Sequence, residues 1–271
     1  MIINQLLLYY FLKIFNDINF NKYGPKYKHP YEHYLTIIID HIKNNKNWMR
    51  INDLKYRKLK YGAYYRFYQK LIKLNIIESA YVLFLKDLRK YGLLETNICY
   101  GDSTNTCNKN GSENTNYFYK IKSRKSTKLS TIVSEKGILI ASNITDEKND
   151  KNIISNTIQH SYINLKYSII NPTIICDTGY ENKDELLKCK KLDINLIYKQ
   201  RKNAKNKLNT DKLKHKLKKR HLVENNYSHT FNYVRCFIRY DLYSIIYLNT
   251  FLLANFNIFT NRYNYLINWI K

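Results

Sequence analysis

The stretch Asn97-Ile-Cys-Tyr-Gly-Asp-Ser-Thr-Asn-Thr106 decides how the rest of the chain is interpreted. Its apolar residues Ile98 to Tyr100 are typical of a buried strand, and the hydroxyl side chains that follow are compatible with its continuation. Asp102 is therefore predicted at the far end of a short strand. A single carboxylate at the end of a strand does not indicate a function. A role for Asp102 therefore depends on which other residues lie near it in the fold.

Two later acids occupy comparable settings. Asp177 ends the run Thr173-Ile-Ile-Cys-Asp177, and Glu224 lies on a predicted helix inside a basic block. Like-charged carboxylates crowd together only where a cation neutralises them, and magnesium prefers oxygen ligands. A two-metal phosphoryl-transfer site requires carboxylates from separate elements. The sequence therefore predicts that Asp102, Asp177 and Glu224 converge.

Each of these acids also has a structural interpretation. Asp102 could cap the end of a strand, and Asp177 could bond the backbone of the turn before Gly179. Glu224 stands four residues after Arg220 on the same predicted helix face, which is the spacing of an ordinary helical ion pair. The residues alone leave these alternatives open.

The elements around the acids alternate between strands and helices. The predicted order is strand, strand, strand, helix, strand, helix, strand, helix, which indicates a three-stranded meander leading into parallel strands crossed by helices. Gly137 is predicted to form the hairpin turn and Asn182 to cap a helix. The predicted strands cover residues 98–106, 129–134, 138–144, 173–177 and 193–198, and the predicted helices cover 152–165, 182–189 and 213–235.

The first 95 residues have helical periodicity throughout. Helices are predicted over residues 61–74 and 76–90, with Asn75 in the turn and the basic segment Lys55-Tyr-Arg-Lys-Leu-Lys60 before them. Two helices joined by a short turn suit a helix-turn-helix-like DNA reader, although a plain helical cap has the same pattern. A final apolar helix, predicted over residues 242–259, is expected to pack against the sheet.

The net charge of +25 in 271 residues indicates a polyanionic partner, with nucleic acid first and an anionic membrane surface second. A lysine-rich codon bias would give the same excess. The most basic block, residues 199–220, leads directly to Glu224, which favours a surface for phosphate backbones over a solvated tail.

The five cysteines are odd in number and have no C-x-x-C spacing, which argues against a disulfide framework or a zinc ribbon and favours a reducing compartment. The apolar N-terminus lacks the features of a signal peptide, and the final apolar stretch is short for a membrane span and interrupted by asparagines. The sequence therefore predicts a soluble protein without a membrane partner.

Several short motifs occur in order along the chain. Asp102-Ser-Thr104 is similar to D-[SG]-T, and Asp177-Thr-Gly-Tyr180 is similar to D-x-G-Y. Arg201-Lys-Asn203, Arg220-His-Leu-Val-Glu224 and Arg239-Tyr-Asp241 are similar to R-K-N, R-x-x-V-E and R-Y-D. Each motif is weak alone. In this order, over roughly residues 48–255, they resemble the DDE transposases of bacterial insertion sequences, whose catalytic domain is ribonuclease-H-like.

The resemblance implies an α/β fold, with a ribonuclease-H-like mixed sheet flanked by helices and an all-α N-terminal region. It places a helix-turn-helix-like DNA-binding region at residues 1–95 and the DDE catalytic domain at residues 96–271. It also implies an intracellular location with DNA, in the cytoplasm or nucleus depending on the host. The expected partner is double-stranded DNA, as element ends and target, bound by a homodimer.

The resemblance further implies that Asp102, Asp177 and Glu224 are catalytic and ligate two divalent ions, normally magnesium, with manganese as a substitute. Such a site cleaves and joins DNA strands by two-metal phosphoryl transfer. The residues expected to contact DNA are Arg201, Lys202, Arg220, Arg235 and Arg239.

The chain departs from the family pattern at four places. Leu217, Asn225 and Phe231 stand where the family often has Tyr, Arg and Lys, and Asn149-Asp150 stands where a His-Asp pair is expected. These changes keep the three acids but remove several DNA contacts. Two readings therefore remain besides an active transposase: a transposase-derived DNA-binding protein with weak or lost catalysis, and a nuclease of the same fold that only cuts. A basic membrane-surface protein is disfavoured, because it would not need clustered acids.

Overall fold

The computed structural model describes residues 3–18, 20, 27, 29–45, 48, 61–118, 125–146, 153–163, 171–198 and 217–270. The chain divides into two compact units. One, called here the helical unit, comprises Met1–Phe84 and His229–Lys271; the other, the sheet unit, comprises Leu85–Ser228. The predicted division at residue 95 assigned the C-terminal helices to the catalytic domain, whereas their contacts group them with the N-terminal helices. The assignment of function to each region stays a prediction.

The described helices and strands are numbered in chain order. The helices are α1 Gln5–Asp17, α2 Tyr31–Asn44, α3 Tyr61–Lys73, α4 Ile76–Lys90, α5 Ile154–Gln159, α6 Lys183–Lys191, α7 His221–Phe231, α8 Val234–Phe237, α9 Ser244–Arg262 and α10 Ile267–Ile270. The strands are β1 Ile98–Asn108, β2 Asn116–Tyr117, β3 Lys125–Ser134, β4 Leu139–Thr145, β5 Thr173–Cys176, β6 Asn195–Tyr198 and β7 Ile238–Arg239. Short 3₁₀ turns cover Thr178–Tyr180 and Asn264–Leu266.

The sheet unit is built on a mixed sheet in which β1 is central. Strand β1 pairs antiparallel with β3 and parallel with β5, and β5 pairs parallel with β6. Strands β2 and β4 both pair antiparallel with β3. Helices α5 and α6 contact the sheet and each other. The predicted meander followed by helix-crossed parallel strands is confirmed, and so is the α/β fold class.

Strand β1 is longer than predicted, and this changes the setting of Asp102. Its antiparallel pairing with β3 runs from Cys99 to Cys107, so Asp102 lies in mid-strand. The parallel pairing with β5 stops earlier, at Tyr100 opposite Ile175. Asp102 and Asp177 are each two residues beyond that last pair. The two aspartates therefore lie just beyond the end of the parallel β1–β5 pairing, on the side of the sheet where α/β folds place their sites.

Gly101 lets neighbouring elements approach β1 immediately before Asp102. A Cβ at this position would lie 2.9 Å from Cδ1 of Ile154 on α5 and 3.1 Å from Sγ of Cys176 on β5. Those separations are shorter than ordinary van der Waals contact between heavy atoms. A larger residue at this position would therefore displace the Ile154 or Cys176 side chain.

Local signals for turns and caps are confirmed where the sequence placed them. Gly137 has φ of +74° in the turn between β3 and β4, and Asn75 has φ of +53° between α3 and α4. The Asn182 side chain accepts a hydrogen bond from the N–H of Asp184 at 3.1 Å and so caps α6. These residues tolerate the left-handed or capping conformations that turns demand.

Helix lengths differ more from the predictions. Helix α5 covers Ile154–Gln159, and residues 160–163 of the predicted 152–165 are not helical, while residues 152, 164 and 165 lie outside the described part of the chain. Helix α7 begins at His221 and ends at Phe231 instead of continuing to residue 235. Residues 213–216 lie outside the described part of the chain. The final apolar helix, α9, belongs to the helical unit, where it contacts α1, α2 and α3; the prediction had placed it against the sheet.

Aromatic side chains fill the core of the helical unit. The Phe67 ring on α3 stacks on Tyr34 of α2 with centroids 4.8 Å apart, and it meets Phe15 and Phe20 edge to face. The predicted helix pair is present as α3 and α4. The basic segment 55–60 lies outside the described residues, so a DNA-reading role for this helix pair stays a prediction. None of the helices described is both long and apolar enough to cross a lipid bilayer.

Candidate active site

The three predicted acids meet at one guanidinium group in the sheet unit. Arg220 Nη1 lies 3.2 Å from Oδ2 of Asp102, and Nη2 lies 3.0 Å from Oε1 of Glu224 and 3.9 Å from Oδ2 of Asp177. Asp102 comes from β1, Asp177 from the end of β5, and Glu224 from α7. The expected helical pair between Arg220 and Glu224 is present, but the same arginine also contacts both aspartates.

Asp102 is held from two sides. Its Oδ1 accepts hydrogen bonds from the backbone N–H of Ser103 at 2.8 Å and from the Tyr180 hydroxyl at 3.3 Å. Its Oδ2 faces Arg220. Because Tyr180 is buried and closely follows Asp177, the D-x-G-Y motif contributes an acid and a positioning donor to the same site. The fold therefore fixes one oxygen of Asp102 and leaves the other to bind a cation.

Asp177 follows the same pattern. Its Oδ1 accepts from the N–H of Thr178 at 2.8 Å, which starts the 3₁₀ turn Thr178–Tyr180, while Oδ2 points toward Arg220. The turn-forming interpretation of Asp177 is thus correct for one oxygen. It does not exclude a ligand role, because the second oxygen is on the side of Asp102 and Glu224.

Helix α7 is tied to the sheet next to Asp102. The hydroxyl of Tyr227 lies 2.9 Å from the carbonyl oxygen of Asp102 and 3.2 Å from that of Leu129, and its single hydrogen is shared between them. The Asn226 amide donates to the carbonyl of Gly137 at 3.2 Å. Because Tyr227 follows Glu224 by three residues, this anchor fixes the part of the helix that carries the acid. Tyr227 is not among the residues predicted from the sequence, although its spacing of three residues from Glu224 places it on the same side of a helix.

The site is polar and open on one side. The exposed fraction of the side chain is 21% for Asp102, 45% for Asp177 and 54% for Glu224, against 25% for Arg220. Behind it, burial raises the pKa of the Cys176 thiol, and the nearby Asp102 carboxylate raises it further. Cys176 therefore stays a neutral thiol, which makes it a core residue and not a nucleophile.

The donor chemistry of this cluster fits a divalent metal, although its present spacing is set by Arg220. Carboxylate oxygens from three elements are the ligands that magnesium prefers. Among the described residues, however, no group of three or more His, Cys, Asp or Glu side chains is placed to hold a metal ion. The three carboxylates surround the guanidinium of Arg220. They could bind a metal ion together only if that guanidinium moved away.

The other predicted DNA contacts have different outcomes. Arg201 and Lys202 lie outside the described residues. Arg239 is fully buried, and its guanidinium donates to the carbonyls of Asp241 and Leu242 at 3.1 and 3.0 Å. Arg235 is 8% exposed and pairs with Asp241 at 2.9 Å. Arg235 and Arg239 thus both have internal partners, and the predicted DNA contact at these two positions stays a prediction.

The family-pattern departures also have distinct environments. Asn225 is exposed beside Glu224, and Phe231 meets Phe237 edge to face with centroids 5.8 Å apart. Leu217 is half-buried just before Arg220. Asn149 and Asp150 lie outside the described residues. The substitutions thus leave the carboxylate cluster itself complete.

One of the solved structures that align with this chain shares its fold. The cryo-EM structure of the piggyBac transposase synaptic complex with hairpin DNA aligns with a TM-score of 0.54 at 8% identity, covering 97% of this chain and 76% of that chain. The crystal structure of the Mos1 strand transfer complex aligns with a TM-score of 0.31 at 10% identity, covering 89% and 78%. No curated protein sequence matches the chain. At such identities the piggyBac likeness shows the fold alone.

The family is shown by sequence. A family model described as "Transposase DDE domain" matches residues 97–236, which is more than half of the chain. The matched range begins at β1 and includes Asp102, Asp177, Arg220 and Glu224. The chain therefore belongs to the DDE transposase family.

Proposed function

We propose that this chain cleaves and joins DNA strands by metal-dependent phosphoryl transfer at Asp102, Asp177 and Glu224. The observation that carries the proposal is the meeting of these three carboxylates, from β1, β5 and α7, at a single cation. Carboxylates at such separations require positive charge between them. A structural ion pair needs one acid, whereas metal-dependent phosphoryl transfer uses several.

Each acid would contribute a ligand oxygen. Oδ2 of Asp102 and Oδ2 of Asp177 face the centre of the cluster while their Oδ1 atoms are held by backbone N–H groups. Glu224 would supply the third carboxylate from the half-exposed side. When bound, magnesium or manganese ions supply activation of a water or 3′-hydroxyl nucleophile and stabilisation of the leaving 3′-oxygen. The protein's part is to orient these oxygens and to leave one face open to DNA.

The proposed substrate is double-stranded DNA, as element ends and target, bound by a homodimer. The net charge of +25 supports a polyanionic ligand, and counterion release from it would make binding fall steeply with salt. The piggyBac and Mos1 structures named above contain transposase complexes, in the first case with hairpin DNA. Arg201, Lys202 and Arg220 are proposed to contact phosphates. The insertion-sequence type of the element is also part of this proposal.

The test is cleavage of labelled double-stranded DNA by the full chain with magnesium or manganese. Asp102→Asn and Glu224→Gln keep the shape of each side chain but remove its charge, so both should abolish metal-dependent nicking. Glu135→Gln is the matched control, because Glu135 is an acid of the same unit whose cationic partner is Lys219, at 3.4 Å, and not Arg220. Nicking that persists in both site variants would contradict the proposal.

A second candidate is a transposase-derived DNA-binding protein with weak or lost catalysis. Two observations favour it: Arg220 occupies the centre of the acids, and Leu217, Asn225 and Phe231 replace residues typical of the family. This candidate predicts salt-sensitive DNA binding without nicking in either metal. Reverting those three positions to Tyr, Arg and Lys would then be expected to restore nicking.

A further inference from the structure

The cluster of three acids already has a cation at its centre, the guanidinium of Arg220. Arg220 contacts Asp102, Asp177 and Glu224 through two guanidinium nitrogens. One positive charge against three negative charges leaves the cluster negative by two. An ion pair formed for stability alone would balance one acid, so the arrangement is not explained as an ordinary helical pair.

We propose that Arg220 is a built-in counterion of the metal-free site, which divalent cations must displace when they bind. The inference rests on the function proposed above. It adds that Arg220 and divalent ions compete for the same three carboxylates. In the metal-free protein, Arg220 holds the carboxylates together. In the loaded protein, its guanidinium is released from the acids and is free to pair with a DNA phosphate.

The hydrogen bonds of the two aspartates would keep these side chains in place when a metal ion replaces Arg220. In both Asp102 and Asp177, Oδ1 accepts a hydrogen bond from the N–H of the next residue, and Oδ2 faces Arg220. The Tyr180 hydroxyl adds a second donor to Oδ1 of Asp102. Departure of the arginine therefore removes partners from the inward oxygens while the outward ones keep theirs. The aspartates would keep their orientation for an incoming ion.

The setting of Arg220 also permits movement. The residue lies in the turn before α7, not inside the helix, and its side chain is 25% exposed. Helix α7 has its own anchors to the sheet through Tyr227 and Asn226. The guanidinium could thus leave the acids without unfolding the helix that carries Glu224. Half-exposed ion pairs of this kind are individually weak, which makes displacement by a divalent ion feasible.

The test is manganese binding to the full chain without DNA, measured by electron paramagnetic resonance of free Mn²⁺ after removal of metals with EDTA. Arg220→Gln should bind Mn²⁺ about tenfold more tightly than the unaltered chain, because several half-exposed ion pairs no longer compete. It should also melt at a lower temperature in EDTA and recover on addition of Mn²⁺. Lys219→Gln removes the same charge from the adjacent residue and should bind Mn²⁺ like the unaltered chain.

The outcomes separate this inference from the proposed function. Equal or weaker Mn²⁺ binding by Arg220→Gln, with binding lost in Asp102→Asn, would overturn the counterion role and leave the metal site standing. Absence of Mn²⁺ binding in both the unaltered chain and Arg220→Gln would overturn both. If Arg220→Gln does not fold, Arg220→Lys replaces it, since lysine keeps the charge but lacks the planar fork. It should give a smaller gain in affinity, and no gain would overturn the inference.

Discussion

Two arginine–carboxylate clusters in the described part of the chain differ in charge and exposure. In the sheet unit, one arginine, Arg220, meets three acids whose side chains are 21–54% exposed. In the helical unit, Arg235 and the fully buried Arg239 converge on Asp241, through its side chain and its backbone carbonyl respectively. The first cluster has excess negative charge and an open face. The second has excess positive charge and is closed.

The difference separates a site that can exchange its cation from one that cannot. Buried ion pairs contribute mainly by avoiding unpaired charge, so breaking them is costly. Half-exposed pairs are weak and exchangeable. Both clusters lie on motifs shared with the transposase pattern, R-x-x-V-E and R-Y-D. Motif membership alone therefore does not show whether an arginine is buried among internal partners or faces an open group of acids, whereas burial and charge balance do.

The largest expected effect is on cleavage, at the open cluster. Asp177→Asn should lower the metal-dependent nicking rate by at least about 10³-fold, as removal of a group from a cooperating catalytic set does. Its melting temperature in EDTA should stay near that of the unaltered chain, because the amide oxygen can still accept from Thr178. Nicking at a rate within tenfold of the unaltered chain would show that the cluster is not catalytic.

The next effect is on stability, at the closed cluster. Arg235→Met should lower the free energy of unfolding by roughly 3–5 kcal/mol, because it leaves Asp241 buried without its partner. Arg220→Gln should cost about 1 kcal/mol or less in EDTA, since its pairs are partly exposed. Urea titration of both variants measures the contrast. Equal losses would mean that the two clusters do not differ in the way described.

A smaller loss is expected from packing next to Asp102. Gly101→Ala should lower the free energy of unfolding by roughly 1–3 kcal/mol, because its Cβ would crowd Cδ1 of Ile154. Ile154→Val removes that Cδ1 atom, so the double variant should recover part of the loss. Additive losses in the double variant would contradict the assigned contact.

The smallest effect concerns the anchor of α7. Tyr227→Phe removes one hydroxyl shared by the carbonyls of Asp102 and Leu129 and should cost about 1 kcal/mol of stability. Because Glu224 is one turn away, nicking should also slow with little change in DNA affinity. If DNA affinity fell while the nicking rate at saturating DNA stayed constant, Tyr227 would be assigned to DNA binding instead.

The sequence predicted the sheet well because local signals and topology agree there. Apolar strands separated by Gly137 and the Asn182 cap leave few alternatives for pairing. The full length of β1 was harder to predict, since its polar residues from Asn105 onward resemble a loop. Pairing with β3 along that length, a tertiary effect, determines it.

The site was only partly readable from sequence. Motif order and spacing predicted that the three acids converge. The same motifs gave no sign that Arg235 and Arg239 are buried, because an arginine's burial depends on packing that no local pattern records. The convergence of Arg220 on all three acids was likewise invisible: the i, i+4 rule predicted only its pairing with Glu224. Its contacts to Asp102 and Asp177 join residues far apart in the chain.

The most direct measurement of the central claim is anomalous diffraction from crystals of the full chain grown with Mn²⁺. The account predicts manganese peaks bound by Asp102, Asp177 and Glu224, with the Arg220 guanidinium displaced from the acids. In a structure with two ions, they should lie about 4 Å apart. Manganese bound elsewhere, with Arg220 still on all three carboxylates at saturating Mn²⁺, would contradict the assignment of this cluster as the metal-dependent active site.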